Sequence, residues 1–273
     1  MPLIVLATAT WKEVDEVDRA NTVLLLPTGS IEQHGWHLPL NTDTAMVEAV
    51  ATRAAEQACE VDPELTILYL PPLALGRSSH HLDFPGSLSL SSSTYIHMVE
   101  EILVCLYRHG FKRALVLNGH GGNTDCLHVA ARNVRDHREM LVAVAPYWQI
   151  AKRSIAEIRS SPAGGICHAG EMETSCMLHL SPDSVRPDNI ARSVVRPRSP
   201  RMVFDLIEEG IRVNHNVSDI SETGAIGDPT AASSERGSRF FTRICEEVAA
   251  FLVDFRNWST ENLALQQPEE RRE

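Results

Sequence analysis

Apolar positions along the chain alternate between two rhythms. Residues 22–27, TVLLLP, form a short unbroken apolar run stopped by Pro27 and Gly29, the pattern of a strand buried on both faces. The following TAMVEAVATRAAEQACE places Met46, Val47, Val50 and Ala54 at helical spacing, which predicts a helix beginning near Asp43. LTILYLPPLAL reads as a second strand. TYIHMVEEILVCLYRHG then reads as an amphipathic helix through Val99, Ile102, Leu103 and Leu106 that stops at Gly110. RALVLNGHGGN predicts a third strand running into a glycine-rich turn, TDCLHVAARNVRDHR returns to helical periodicity, and EMLVAVAPYW predicts a fourth strand.

Strand alternating with helix argues for a layered α/β fold with a mainly parallel sheet, because parallel neighbours need a crossover that is usually helical. The C-terminal third is less regular, with helices predicted at CHAGEMETSCMLHL, MVFDLIEEG and RFFTRICEEVAAFLVDFRNW. No repeat or long linker divides the chain. Residues 1–265 are therefore expected to form a single domain, with a polar, disordered tail at 266–273.

Composition narrows the partners. The chain of 273 residues is 43% hydrophobic, and no apolar run approaches the roughly 18 residues that span a bilayer, so no membrane is expected. A formal charge of −11, with three lysines among 25 basic residues, argues against a phosphate-binding surface and hence against nucleic acid. MPLIVLATATWKEVDEVDRA lacks the features of a secretory signal, which implies a cytoplasmic location. The six cysteines are widely spaced without a C-x-x-C pair and read as reduced, buried thiols.

The chemistry gathers after the predicted strands. GSIEQHGWHLPLNTDT, residues 29–44, carries Glu32, His34, His37 and Asp43 after the first strand, and NGHGGN carries His120 and Asn123 after the third. Ligands of open α/β sheets collect outside the carboxyl ends of strands, so these two segments are expected to meet over one crevice. Glu32 and His34 have the parity that puts two side chains on one side of an extended backbone; His37 has the other. Taken singly, these are ordinary polar loop residues, and Asp43 a helix N-cap. Taken together, mixed imidazole and carboxylate donors at Glu32, His34, Asp43 and His120 point to a transition metal such as zinc, manganese or iron.

Two further segments hold candidates. CHAGEMETSCMLHL supplies His168, Glu171, Glu173 and His179; Glu171 reads as a first-turn acid favoured by the helix dipole, and Glu173 is the better functional candidate. GRSSHHLDFPGSLSL, residues 76–90, reads as a loop able to cover a site, with Ser78, His80 and His81 as candidate substrate contacts and Arg77 as a candidate anion contact. The plainer reading of His80 and His81 is as solvated loop histidines.

In this order, GSIEQHGWHLPLNTDT, FPGSLSL, NGHGGN, HAGEMETS and GAIGDP resemble the creatininase family of metal-dependent amidohydrolases over most of residues 22–230. The resemblance implies a three-layer α/β/α fold, assembly as a homo-oligomer (commonly a hexamer), and two divalent transition metal ions per chain, with zinc the first expectation. Glu32 and His120 would then bind one metal, His34 the other, and Asp43 both, with His168 as the active-site histidine. Paired metals would activate water and polarise an amide carbonyl, while an acid or base, His168 or Glu173, moves the proton.

The chain departs from that pattern where creatinine hydrolases carry an aromatic residue and a glutamate ligand after the loop histidine, for here stand Gly121 and Gly122. Glu173 is the candidate replacement ligand. The tryptophan and aspartate that pack creatinine are replaced by AGGIC, so the expected reaction is hydrolysis of another small amide, cyclic or open. Alternatives with the same motifs are a formamide deformylase, a peptidase, or a metal-stabilised binding protein without turnover.

Overall fold

A computed structural model of the chain describes residues 3–259. Its sheet has five parallel strands: β1 (Leu3–Val5), β2 (Thr22–Thr28), β3 (Thr66–Tyr69), β4 (Arg113–Asn118) and β5 (Leu141–Pro146), in the order β1-β3-β2-β4-β5. The helices are α1 (Trp11–Asp15), α2 (Thr42–Val61), α3 (Ser92–Arg108), α4 (Thr124–His137), α5 (Tyr147–Ile150), α6 (Lys152–Ile158), α7 (Glu171–Leu180) and α8 (Ser234–Arg256).

The continuous apolar run of β2 is explained by its central place. Val23 and Leu25 face a core built with Met46 and Val50 of α2, Met172 of α7 and Phe240 of α8. Leu24 and Leu26 face the opposite core with Val99 and Leu103 of α3 and Leu127 of α4. The sheet is thus covered on both sides, giving the three-layer α/β/α arrangement.

The structure departs from the sequence reading at several places. Leu3–Val5, too short to declare itself, becomes an edge strand beside β3. Of LTILYLPPLAL only Thr66–Tyr69 is strand, because Pro71 and Pro72 lack the N–H a ladder needs. The helix predicted at MVFDLIEEG does not form. There the Asp205 carboxylate accepts from Gly164 N at 2.7 Å and pairs with Arg159 at 2.8 Å, and Leu206 N donates to Ile166 O, so the segment is bound to its neighbours instead of to itself. The predicted tail at 266–273 lies outside the described residues. No helix among those described is long and apolar enough to cross a membrane.

Candidate metal centre

Two adjacent strands deliver the site. β2 and β4 pair with Thr28 opposite Asn118, so the segments leaving their carboxyl ends begin side by side, one carrying Glu32 and His34, the other His120. The third contributor is the first turn of α2. A Cβ on Gly29 would lie 2.6 Å from Thr44 Cα, and one on Gly119 would lie 2.9 Å from the Asp43 carbonyl oxygen. With glycine at both positions the helix N-terminus presses onto the strand ends, and Asp43 enters between them. Asp43 does not cap the helix, whose N-cap is Asn41.

The four residues converge. His34 Nε2 lies 3.0 Å from Asp43 Oδ1, while His120 Nδ1 lies 3.0 Å from Asp43 Oδ2 and 3.2 Å from Glu32 Oε1. The turn before α7 adds His168, with Nδ1 3.6 Å from Glu32 Oε1, and α7 itself adds Glu173. Ala169 in that turn has φ of 51°, an uncommon left-handed conformation, and its N–H is donated to Glu173 Oε2 at 2.6 Å. Two compact groups result, Glu32–Asp43–His120 and His34–His168–Glu173, with the ligand atoms of each group within 4.8 Å of one another. Asp43, in contact with His34 and His120, joins the two.

The donor set fits metal ions. Both carboxylate oxygens of Glu32 and Oδ2 of Asp43 are buried without a hydrogen bond among the described residues. A buried carboxylate left this way is destabilising by several kcal/mol unless a cation meets it. The histidines face the same space with their ring nitrogens sorted. His34 Nδ1 donates to Glu32 O (3.1 Å), His120 Nε2 to Arg77 O (3.2 Å) and His168 Nε2 to Gln33 O (2.7 Å). A carbonyl only accepts, so each outer nitrogen carries a proton and the inner one is the atom available to a cation, with the kind of outer partner usual for a metal-binding histidine.

In the chain alone, protons supply the balancing charge. Burial opposes charge on His34, yet Asp43 beside it holds its pKa at about 9. His120 is likewise held well above its ordinary value against burial by Glu32 and Asp43. Burial, with Asp43 nearby, pushes Glu173 up to about 7, and burial beside charged His34 drops His168 to about 3. Metal ions would replace those protons.

The other candidates have different settings. His37 is buried outside the centre, 2.9 Å from Thr174 Oγ1, and burial beside His34 lowers its pKa to about 4. Ser78 is fully buried, its hydroxyl against Ser30 Oγ and 3.1 Å from His120 Nε2, so it holds the ligand histidine in place and is shut off from solvent. His80 is half-buried, its ring stacked 5.7 Å from that of His120. His81 is buried, against the solvated reading, with Nε2 3.3 Å from Glu32 Oε1. His179 sits at the far end of α7, its ring 6.0 Å from Phe241. The 76–90 segment is pinned to the metal loop by Leu88 N to Ile31 O at 2.8 Å and Gln33 N to Ser87 Oγ at 3.0 Å. Gln33, which ligand chemistry gives no reason to single out, lies buried between His81 and His168.

A parallel α/β/α sheet gathers buried imidazoles and carboxylates at its strand ends, the donor set of a candidate metal-binding centre. The creatininase family model, described as creatinine amidohydrolase, matches residues 7–252, and the chain belongs to that family. Its relatives include a mycofactocin precursor peptide peptidase of Mycolicibacterium smegmatis, 34% identical over 81% of each chain. They also include a creatinine amidohydrolase of Pseudomonas putida, 35% identical over 66% of this chain and 73% of the relative. Among solved structures, a manganese form of creatininase superposes with a TM-score of 0.75 at 29% identity, covering 92% of this chain and 98% of that one. A mutant creatininase of Zn–Zn type gives 0.74 at 29% identity, with the same coverage. These relatives establish a hydrolase acting on C–N bonds.

Proposed function

We propose that this chain is a two-metal amidohydrolase acting on a small amide. Glu32, Asp43 and His120 would hold one divalent transition ion and His34, Asp43 and Glu173 the other, with zinc the first choice and manganese or iron alternatives. The observation that carries the reading is the convergence of unpaired buried carboxylate oxygens with imidazole nitrogens at the ends of β2 and β4. Bound there, the ions supply a nucleophilic water and polarise the amide carbonyl. Glu173, with only one backbone N–H on its carboxylate, can accept a proton and return it to the departing nitrogen, and His168, its Nε2 proton held on Gln33 O, orients the amide beside it.

A second reading takes a peptide as substrate, supported by the peptidase relatives and by a departure from the creatinine hydrolases at Gly122. A Cβ on Gly122 would lie 2.4 Å from Arg77 O and 2.5 Å from His120 Nε2, so the 77–81 segment fills the space in which a creatinine hydrolase would carry its glutamate. The peptidase relative is also matched over more of the chain than the creatinine hydrolase.

Elemental analysis of protein purified without added metal should find about two transition ions per chain, and Glu173→Gln should lower that toward one. Assay against small amides, formamides and short peptides then separates the substrate readings. Hydrolysis that persists in fully metal-stripped protein would sink the proposal. Homo-oligomeric assembly and a cytoplasmic location belong to the same reading, and light scattering on the purified protein tests the first.

A further inference from the structure

One histidine at the centre has its ring polarity reversed, and Gln33 is the cause. The orientation of the Gln33 amide is fixed by two backbone partners: Oε1 accepts from Gly35 N at 2.8 Å, and Nε2 donates to Gly224 O at 2.9 Å. Rotating the amide would set donor against donor and acceptor against acceptor. The approach needs glycine at 224, where φ is 84° and a Cβ would lie 2.0 Å from Gln33 Oε1, which gives the first residue of GAIGDP a role.

The second Nε2 hydrogen of Gln33 faces His81 Nδ1 at 2.7 Å. His168 Nε2 is 3.0 Å from the same nitrogen, but its proton is already committed to Gln33 O. An amide donor needs a lone pair on His81 Nδ1, and a neutral imidazole then carries its proton on Nε2. Once metal ions replace their inner protons, His34 and His120 would join His168 in presenting a bare nitrogen to the centre; His81 presents an N–H. That N–H lies 3.3 Å from Glu32 Oε1 without hydrogen-bond alignment, leaving it unspent among the described residues.

Glu32, His81 and His168 also form a group compact enough for a metal ion, and the polarity of the ring argues against it. We propose that His81 is not a ligand but a fixed hydrogen-bond donor, set by Gln33, that receives the carbonyl oxygen of the amide under attack. This rests on the hydrolase reading above. As water oxygen bonds to the carbonyl carbon, the carbonyl oxygen gains negative charge that the N–H stabilises and the water's proton passes to Glu173; the C–N bond then breaks and Glu173 returns that proton to the departing nitrogen. His81 keeps its own proton. Gln33 is a positioning residue, acting only through His81.

The test is the tautomer. In uniformly 15N-labelled, zinc-loaded protein, long-range proton–nitrogen spectra should show His81 with an unprotonated Nδ1 and a protonated Nε2, its signals assigned by their loss in His81→Gln. Gln33→Glu, which replaces the donor by an acceptor, should invert the pair, while His168 keeps its protonated Nε2 on the Gln33 backbone carbonyl. His81→Gln should retain the parent zinc content and lower kcat roughly 10²-fold or more with little change in KM. A protonated Nδ1 in the parent protein, a zinc-shifted Nε2, or loss of zinc from His81→Gln would overturn the proposal. The parent spectrum decides even if the Gln33 variant fails to fold. Failure of every form to bind zinc, manganese or iron would instead sink the two-metal reading, while the metal-free spectrum still fixes the His81 tautomer.

Discussion

Glu171 and Glu173 stand two residues apart in the first turn of α7, both buried, and their carboxylates live in opposite chemical worlds. Glu171 is saturated with donors. Ser160 N and Oγ reach its Oε1 at 2.8 and 2.9 Å, Ser161 N and Oγ serve Oε2, and Arg236 Nε stands 3.3 Å away. Glu173 receives one backbone N–H and lies near Glu32 and Asp43, three of whose oxygens make no aligned hydrogen bond and face only imidazoles. A buried carboxylate whose lone pairs are spent anchors the fold; one whose lone pairs converge unspent on others awaits a cation.

The strongest way to break this contrast is at Asp43. Asp43→Ala should abolish binding of both metals and lower turnover by at least about 10³-fold, on the order of 4 kcal/mol of transition-state stabilisation. The far-ultraviolet circular dichroism of the protein should persist, because the change removes repulsion among buried acids as well as contacts. Normal metal content in this variant would show that Asp43 is an anchor like Glu171.

Glu171→Gln should do the reverse, leaving metal stoichiometry near the parent value and destabilising the fold by about 3 kcal/mol. Melting temperature should fall by roughly 6–12 °C. The pH dependence has a definite sign. Burial alone would raise the Glu171 pKa, but the hydrogen bonds from Ser161 and Ser160 overcome it and hold the group below its ordinary 4.5. A carboxylate depressed in the folded state stabilises fully above that ordinary value and loses its contribution as pH falls through the lower folded value. Parent and variant should therefore differ most near neutrality and converge in acid. A gap that widens on acidification would refute the account.

How much of this was legible beforehand follows from what sequence spacing can encode. The β2 run, the α2 stripe and the segments after β2 and β4 could be read directly, since period and strand ends are local properties. The role of Glu171 was not, because its donors Ser160 and Ser161 are brought to it by a turn at 161–165 that no periodicity marks. Gln33 was missed for a related reason: its place between two candidate ligands has the wrong parity for a third, and its partners Gly224 and His81 lie far along the chain. The false helix at MVFDLIEEG had acceptable spacing, but Asp205 found partners at Arg159 and Gly164 that a helix would have denied it.

The smallest expected effect gives the finest test, and it concerns the neighbouring glycines of NGHGGN. A Cβ at Gly121 meets nothing within 4 Å, whereas one at Gly122 would strike Arg77 O, His120 Nε2 and His80 Cε1. Gly121→Ala should be within about 0.5 kcal/mol of the parent in stability. Gly122→Ala should destabilise by about 1–3 kcal/mol and weaken metal binding, because the added methyl forces His120 or the 77–81 segment to move. Equal tolerance at the two positions would mean that the space beside His120 is open, and a carboxylate placed at 122 could then reach the centre. With that space closed, the proposed second ion would have to draw its acid from another element, and the first turn of α7 offers Glu173, since Glu171 is already bound to its serines.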